Sequence, residues 1–139
     1  MNTLAELEEF KVISEKIDFG GVRVFLIEPG IMVSHYYKDV ILDIQLAKKI
    51  NNMAGELGGG VAMPQLFIAC PGQTVTKEVR DWSATEVSNQ YTICTAVVCN
   101  SLAHKILGNF FIKVQRPPRP TKMFSNIGSA KEWLIAQIQ

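Results

Sequence analysis

Apolar residues recur along this chain with two periods, and the switch between them sets the order of elements. The first clear element is Val22–Ile27, in the run GGVRVFLIEPG, where β-branched and aromatic residues lie between Gly and Pro. Pro29-Gly30 predicts a turn, because Pro presets φ and Gly accepts positive φ. A second strand is expected over 31–37, and two strands joined so tightly must be antiparallel. Leu46, Ala47, Ile50, Met53, Ala54 and Leu57 then repeat at helical spacing. Asp43 is the expected N-cap of that helix, and Gly58-Gly59-Gly60 its stop. QLFIAC at 65–70 reads as a buried strand, closed by Pro71-Gly72. A helix is expected over 76–88 with Val79, Trp82 and Val87 inward. The run 91–99, YTICTAVVC, becomes apolar on both faces, as in a central strand covered from each side.

Asn100 or Ser101 caps the next helix. Leu102, Ala103, Ile106, Leu107, Phe110, Phe111 and Val114 give it the clearest helical periodicity in the chain, and the stripe is expected to face the core. QRPPRP at 115–120 cannot be helix, because prolines remove donors and fix φ. Met123 and Phe124 fit a short edge strand. Ser125 is the expected N-cap of a last helix with Ala130, Trp133 and Leu134 inward.

The order is therefore ββαβαβαβα. Strands alternating with helices imply right-handed crossovers, and hence an α/β fold with a mixed, mostly parallel sheet of about five strands. Residues 1–19 are expected to be an N-terminal extension, with Leu4, Leu7 and Phe10 at helical spacing and Val12-Ile13 strand-like; residues 20–139 are the domain. The edge strand at Met123–Phe124 and the extension are the two routes the sequence offers to a homodimer.

The length of 139 residues fits one domain that needs no metal or disulfide to hold a core. With 47% hydrophobic and 19% charged residues, the chain is globular rather than disordered. A net charge of +1 gives no global pull toward nucleic acid, which is not an expected partner. The charge is uneven, at −3 over residues 1–60 and +4 over 61–139. Cys70, Cys94 and Cys99 are odd in number and form no C-x-x-C pair, which predicts free thiols in a reducing, cytoplasmic compartment. The acidic start MNTLAELEEF is not a signal peptide, and no apolar run approaches a membrane span.

The run SLAHKILGNFFIKVQRPPRPTKMFSNIGSAKEWL resembles a group of small bacterial STAS-like (STAS/SEC14-like) proteins. These share a helix with Gly-Asn-Phe-Phe, a proline-rich loop, a short strand ending in Phe and a final helix with Glu-Trp-Leu. The resemblance spans roughly residues 20–137 and implies the anti-anti-sigma-factor-like fold, without an assigned activity. In anti-anti-sigma domains a Ser or Thr at the helix after the third strand is phosphorylated, which makes Thr74 and Thr76 the corresponding phosphoacceptors. Gly72-Gln73 stands where that family has Asp-Ser.

In an open α/β sheet, ligands bind outside the carboxyl ends of the strands. Here those ends lead into two helix starts with Thr74, Thr76, Asn100, Ser101 and His104, the candidate ligand or partner site. Lys113, Arg116, Arg119 and Lys122 form a second candidate, a stiff basic loop around the prolines. His35 and His104 lack metal-ligand spacing, no G-x-S-x-G elbow exists, and neither a catalytic site nor a cofactor is expected. Phe110, Phe111, Trp82 and Trp133 match core stripes, and a domain this small leaves little room for a lipid-sized cavity. The sequence thus predicts a non-enzymatic regulatory or protein-interaction domain. The alternative is a carrier or sensor of a small anionic or apolar, lipid-like ligand at the same rim.

Overall fold

The computed structural model describes residues 9–139; Leu4 and Leu7 of the expected extension lie outside them. The chain runs β1 (Ile17–Asp18), β2 (Val22–Ile27), β3 (Ile31–Tyr36), β4 (Ile41–Leu42), α1 (Ile44–Leu57) and β5 (Met63–Ile68). It continues through β6 (Thr74–Val75), α2 (Lys77–Ser83), a 3-10 turn (Val87–Asn89), β7 (Thr92–Val98) and α3 (Leu102–Phe110). A π-turn (Phe111–Gln115) extends α3, followed by β8 (Thr121–Phe124) and α4 (Ile127–Ala136).

The main sheet has six strands in the order β1-β2-β3-β5-β7-β8, one more than expected because the β1 pair joins the edge of β2. β2 and β3 form the predicted antiparallel hairpin, while β3, β5, β7 and β8 are parallel. β4 and β6 pair separately. Gly30 takes φ +120° in the hairpin turn, a conformation that demands glycine.

The two sheet faces differ. On one, Phe25, Ile27, Ile31, Val33, Leu66, Ile68, Cys94, Ala96 and Val98 pack against Ile127, Ala130 and Leu134 of α4. Phe10 and Val12 pack on that same core, and Val12 bridges Ile27. On the other, Val22, Val24, Met32 and Tyr36 meet Ala47, Ile50 and Ala54 of α1 and Val79 of α2.

Three expectations are corrected. α2 stops at Ser83, and Val87 is exposed. The cause is local side-chain bonding that competes with the helix. Thr85 Oγ1 donates to Trp82 O (2.6 Å), and Asn89 Nδ2 donates to Ser83 O (2.9 Å) and Thr85 O (2.7 Å). α4 is capped by Asn126 rather than Ser125, its Oδ1 accepting from Ser129 N (2.7 Å). The largest correction is α3. No residue of it is buried, and Leu102, Ile106, Phe110 and Val114 of the expected core stripe are 72%, 63%, 56% and 60% exposed.

Candidate functional site: a crevice beneath α3

Because α3 turns its most apolar stripe outward, it roofs the sheet without filling the space below. A crevice of about 270 Å³ lies between them. Its floor follows from strand register. Phe67, Val97 and Met123 are partners across β5, β7 and β8 and form an apolar row. Gln65, Thr95 and Thr121, two residues earlier on the same strands, form a parallel row of polar side chains. Leu107 and Phe111 come down from above, and Trp82 of α2 closes one side. At Gly108 an added Cβ would lie 2.5 Å from Met123 Cε, so the missing side chain sets how near α3 approaches β8.

At the carboxyl end of β5 and β7 two polar residues join the lining. His104 Nε2 lies 2.6 Å from Gln73 O; a carbonyl only accepts, so this ring nitrogen carries the proton. Gln73 is 4% exposed, and its Oε1 accepts from Cys70 N (3.2 Å). Gln73 Nε2 and His104 Nδ1 are both buried and without a hydrogen-bond partner among the described residues. Buried polar groups rarely stay unpaired, since each costs on the order of 1–3 kcal/mol.

The predicted rim residues divide accordingly. Of Thr74, Thr76, Asn100, Ser101 and His104, only His104 lines the crevice. The Thr76 hydroxyl accepts from Val79 N (3.3 Å) and that of Ser101 from His104 N (3.4 Å), so both serve as N-caps. Thr74 and Asn100 are exposed. The basic positions also separate. Arg119 is held by Thr92 O (3.2 Å) and Glu86 (3.1 Å). Lys122 lies over the Phe124 ring, while Lys113 and Arg116 are exposed. Of the aromatic set, Trp82 and Phe111 line the crevice, Phe110 points outward, and Trp133 packs on Phe124 over the opposite face.

Sequence reasoning missed Gln73, Phe67, Val97 and Met123. The available signal was a polar residue followed two positions later by an apolar one on each of three strands, Gln65 and Phe67, Thr95 and Val97, Thr121 and Met123. Near the rim, Cys70 Sγ donates to Asp39 Oδ1 (3.3 Å), and desolvation first, then that carboxylate, push the thiol pKa up. Such a thiol is a poor nucleophile.

A family model described as a domain of unknown function, DUF7793, matches residues 25–137. The chain belongs to that family. No curated protein matches this DUF7793 chain. Among solved structures, it is similar to an uncharacterized protein from the DUF3478 family with a SpoIIAA-like fold, from Shewanella loihica PV-4. The TM-score is 0.54 at 11% identity, over 90% of the DUF7793 chain and 91% of the other. At that identity the likeness is one of fold, and it agrees with the STAS-like architecture that the C-terminal run implied.

Proposed function

We propose that this domain is a non-catalytic binding module that holds a small, mainly apolar ligand in the crevice beneath α3. The observation that carries the reading is the crevice itself, about 270 Å³ and lined mainly by apolar side chains. An apolar occupant gains free energy by taking that lining out of contact with water. The volume sits just below the roughly 300–1,000 Å³ of ordinary small-molecule sites. It suits one short acyl chain or a compact ring system and excludes a two-chain lipid.

Phe67, Val97 and Met123 would take the apolar body of the ligand. Gln73 and His104 would take its polar end. With Nε2–H committed to the Gln73 carbonyl, His104 Nδ1 offers a lone pair, and Gln73 Nε2 offers an N–H. A primary amide or a hydroxyl, which both donates and accepts, would satisfy both, as would a carboxylic acid held in its protonated form.

The chain has two tryptophans, one lining the crevice and one on the far face, so a Trp133→Phe variant leaves Trp82 as sole reporter. Titration with a medium-chain fatty acid, and separately with its amide, is expected to give a saturable change in Trp82 emission. Val97→Phe, which fills the floor, is expected to remove it. No saturable change with either probe, together with a bare-chain mass by native mass spectrometry of protein from its own cells, would falsify the reading.

A further inference from the structure

Leu102, Ile106, Phe110 and Val114 stand four residues apart along the outer side of α3 and its π-turn, each more than half exposed. In a regular α-helix this spacing drifts by about 40° per step, because each residue turns about 100°. The wider π-turn, closed by Arg116 N donating to Phe111 O (3.1 Å), turns less per residue and counteracts the drift at Val114. The result is an apolar ridge about 18 Å long.

Cations border the ridge. Lys105, Asn109 and Lys113, again four apart, run along one flank, and Lys105 and Asn109 share a shallow groove with Lys122. Arg116, exposed in a left-handed conformation at φ 51°, closes the C-terminal end. Residues 87–131 contain no Asp or Glu, and the carboxylate that reaches the end of the ridge, Asp81 against Gln115, is already paired with Lys77.

We infer that this outer face of α3 docks on an anionic phospholipid surface. The four apolar side chains enter the interfacial layer, and Lys105, Lys113 and Arg116 face lipid phosphates. Leu, Ile, Phe and Val flanked by lysine is the composition of helices that lie in a bilayer interface. Protein interfaces instead concentrate Trp, Tyr and Arg at their centre and are depleted in Lys. No described helix is long and apolar enough to cross a membrane, so the contact is with the surface.

Flotation of the whole chain tests this with two kinds of vesicle, pure phosphatidylcholine and phosphatidylcholine mixed with phosphatidylglycerol. The chain is expected to float with the mixed vesicles and to release as salt is added. Lys105→Gln with Lys113→Gln is expected to weaken partitioning about 25-fold, because each lysine near an anionic surface is worth about fivefold. Phe110→Asp is expected to abolish flotation while leaving the far-UV circular dichroism unchanged, since that side chain is 56% exposed. Absence of binding to mixed vesicles, or binding that survives Phe110→Asp, overturns the inference. So does a dimer in sedimentation velocity that Phe110→Asp dissociates, which would assign the ridge to a second copy of the chain. Trp82 emission reads the crevice separately, so loss of one proposal leaves the other standing.

Discussion

His35 sits on β3, 7% exposed, directly across the strand pair from Arg23. Burial first, then the charges of Arg23 and Lys16, hold its pKa below the usual 6.5. The unfolded chain therefore binds a proton there more readily than the folded one. The sign follows from linkage. Above about pH 6.5 both states hold a neutral imidazole and nothing is lost, whereas below it protonation favours the unfolded chain. Stability is thus expected to fall as pH drops through and below 6.5, and His35→Gln should remove most of that slope. Urea midpoints measured across this interval check it. Equal slopes in the two proteins would mean that His35 does not titrate in that window.

At the scale of elements, the helices on the two faces contrast. Ile127 in α4 is fully buried and Ile106 in α3 is 63% exposed. Ile127→Ala is expected to cost about 2–5 kcal/mol, and Ile106→Ala less than about 0.5 kcal/mol. Urea denaturation of both variants decides the matter, since a large cost at Ile106 would place the stripe back in the core. The comparison also shows what the sequence could reveal. Helical spacing over 102–114 correctly marked a helix, but periodicity records that a face is apolar, not what it meets. Asp43 and Ser101 were legible as caps because a cap is settled within four residues. The end of α2 was missed because Asn89 reaches back six residues to Ser83. Of the crevice, His104 was named from its place after β7, while Gln73 looked like an ordinary turn residue. Its burial depends on β5 and β7 being neighbours, which pairing across the chain decides.

For the whole molecule, the sheet divides a closed side from an open one. Three residues of α4 are fully enclosed against β2, β3, β5 and β7, whereas α3 spans the crevice and buries none of its own. Local opening costs least where few apolar contacts must be broken. Amides of 102–115 are therefore expected to exchange with solvent through local opening, far faster than those of β5, β7 and α4. A ligand in the crevice would bind only the closed arrangement, so its free energy would be added to the closing of α3. At about a hundred times the dissociation constant that amounts to about 2.7 kcal/mol, or roughly a hundredfold slower exchange. The slowing should be confined to α3 and the residues lining the crevice. If α3 amides in the empty protein already exchange as slowly as those of α4, the helix is firmly seated. In that case the crevice contributes no readily opened state for a ligand to close.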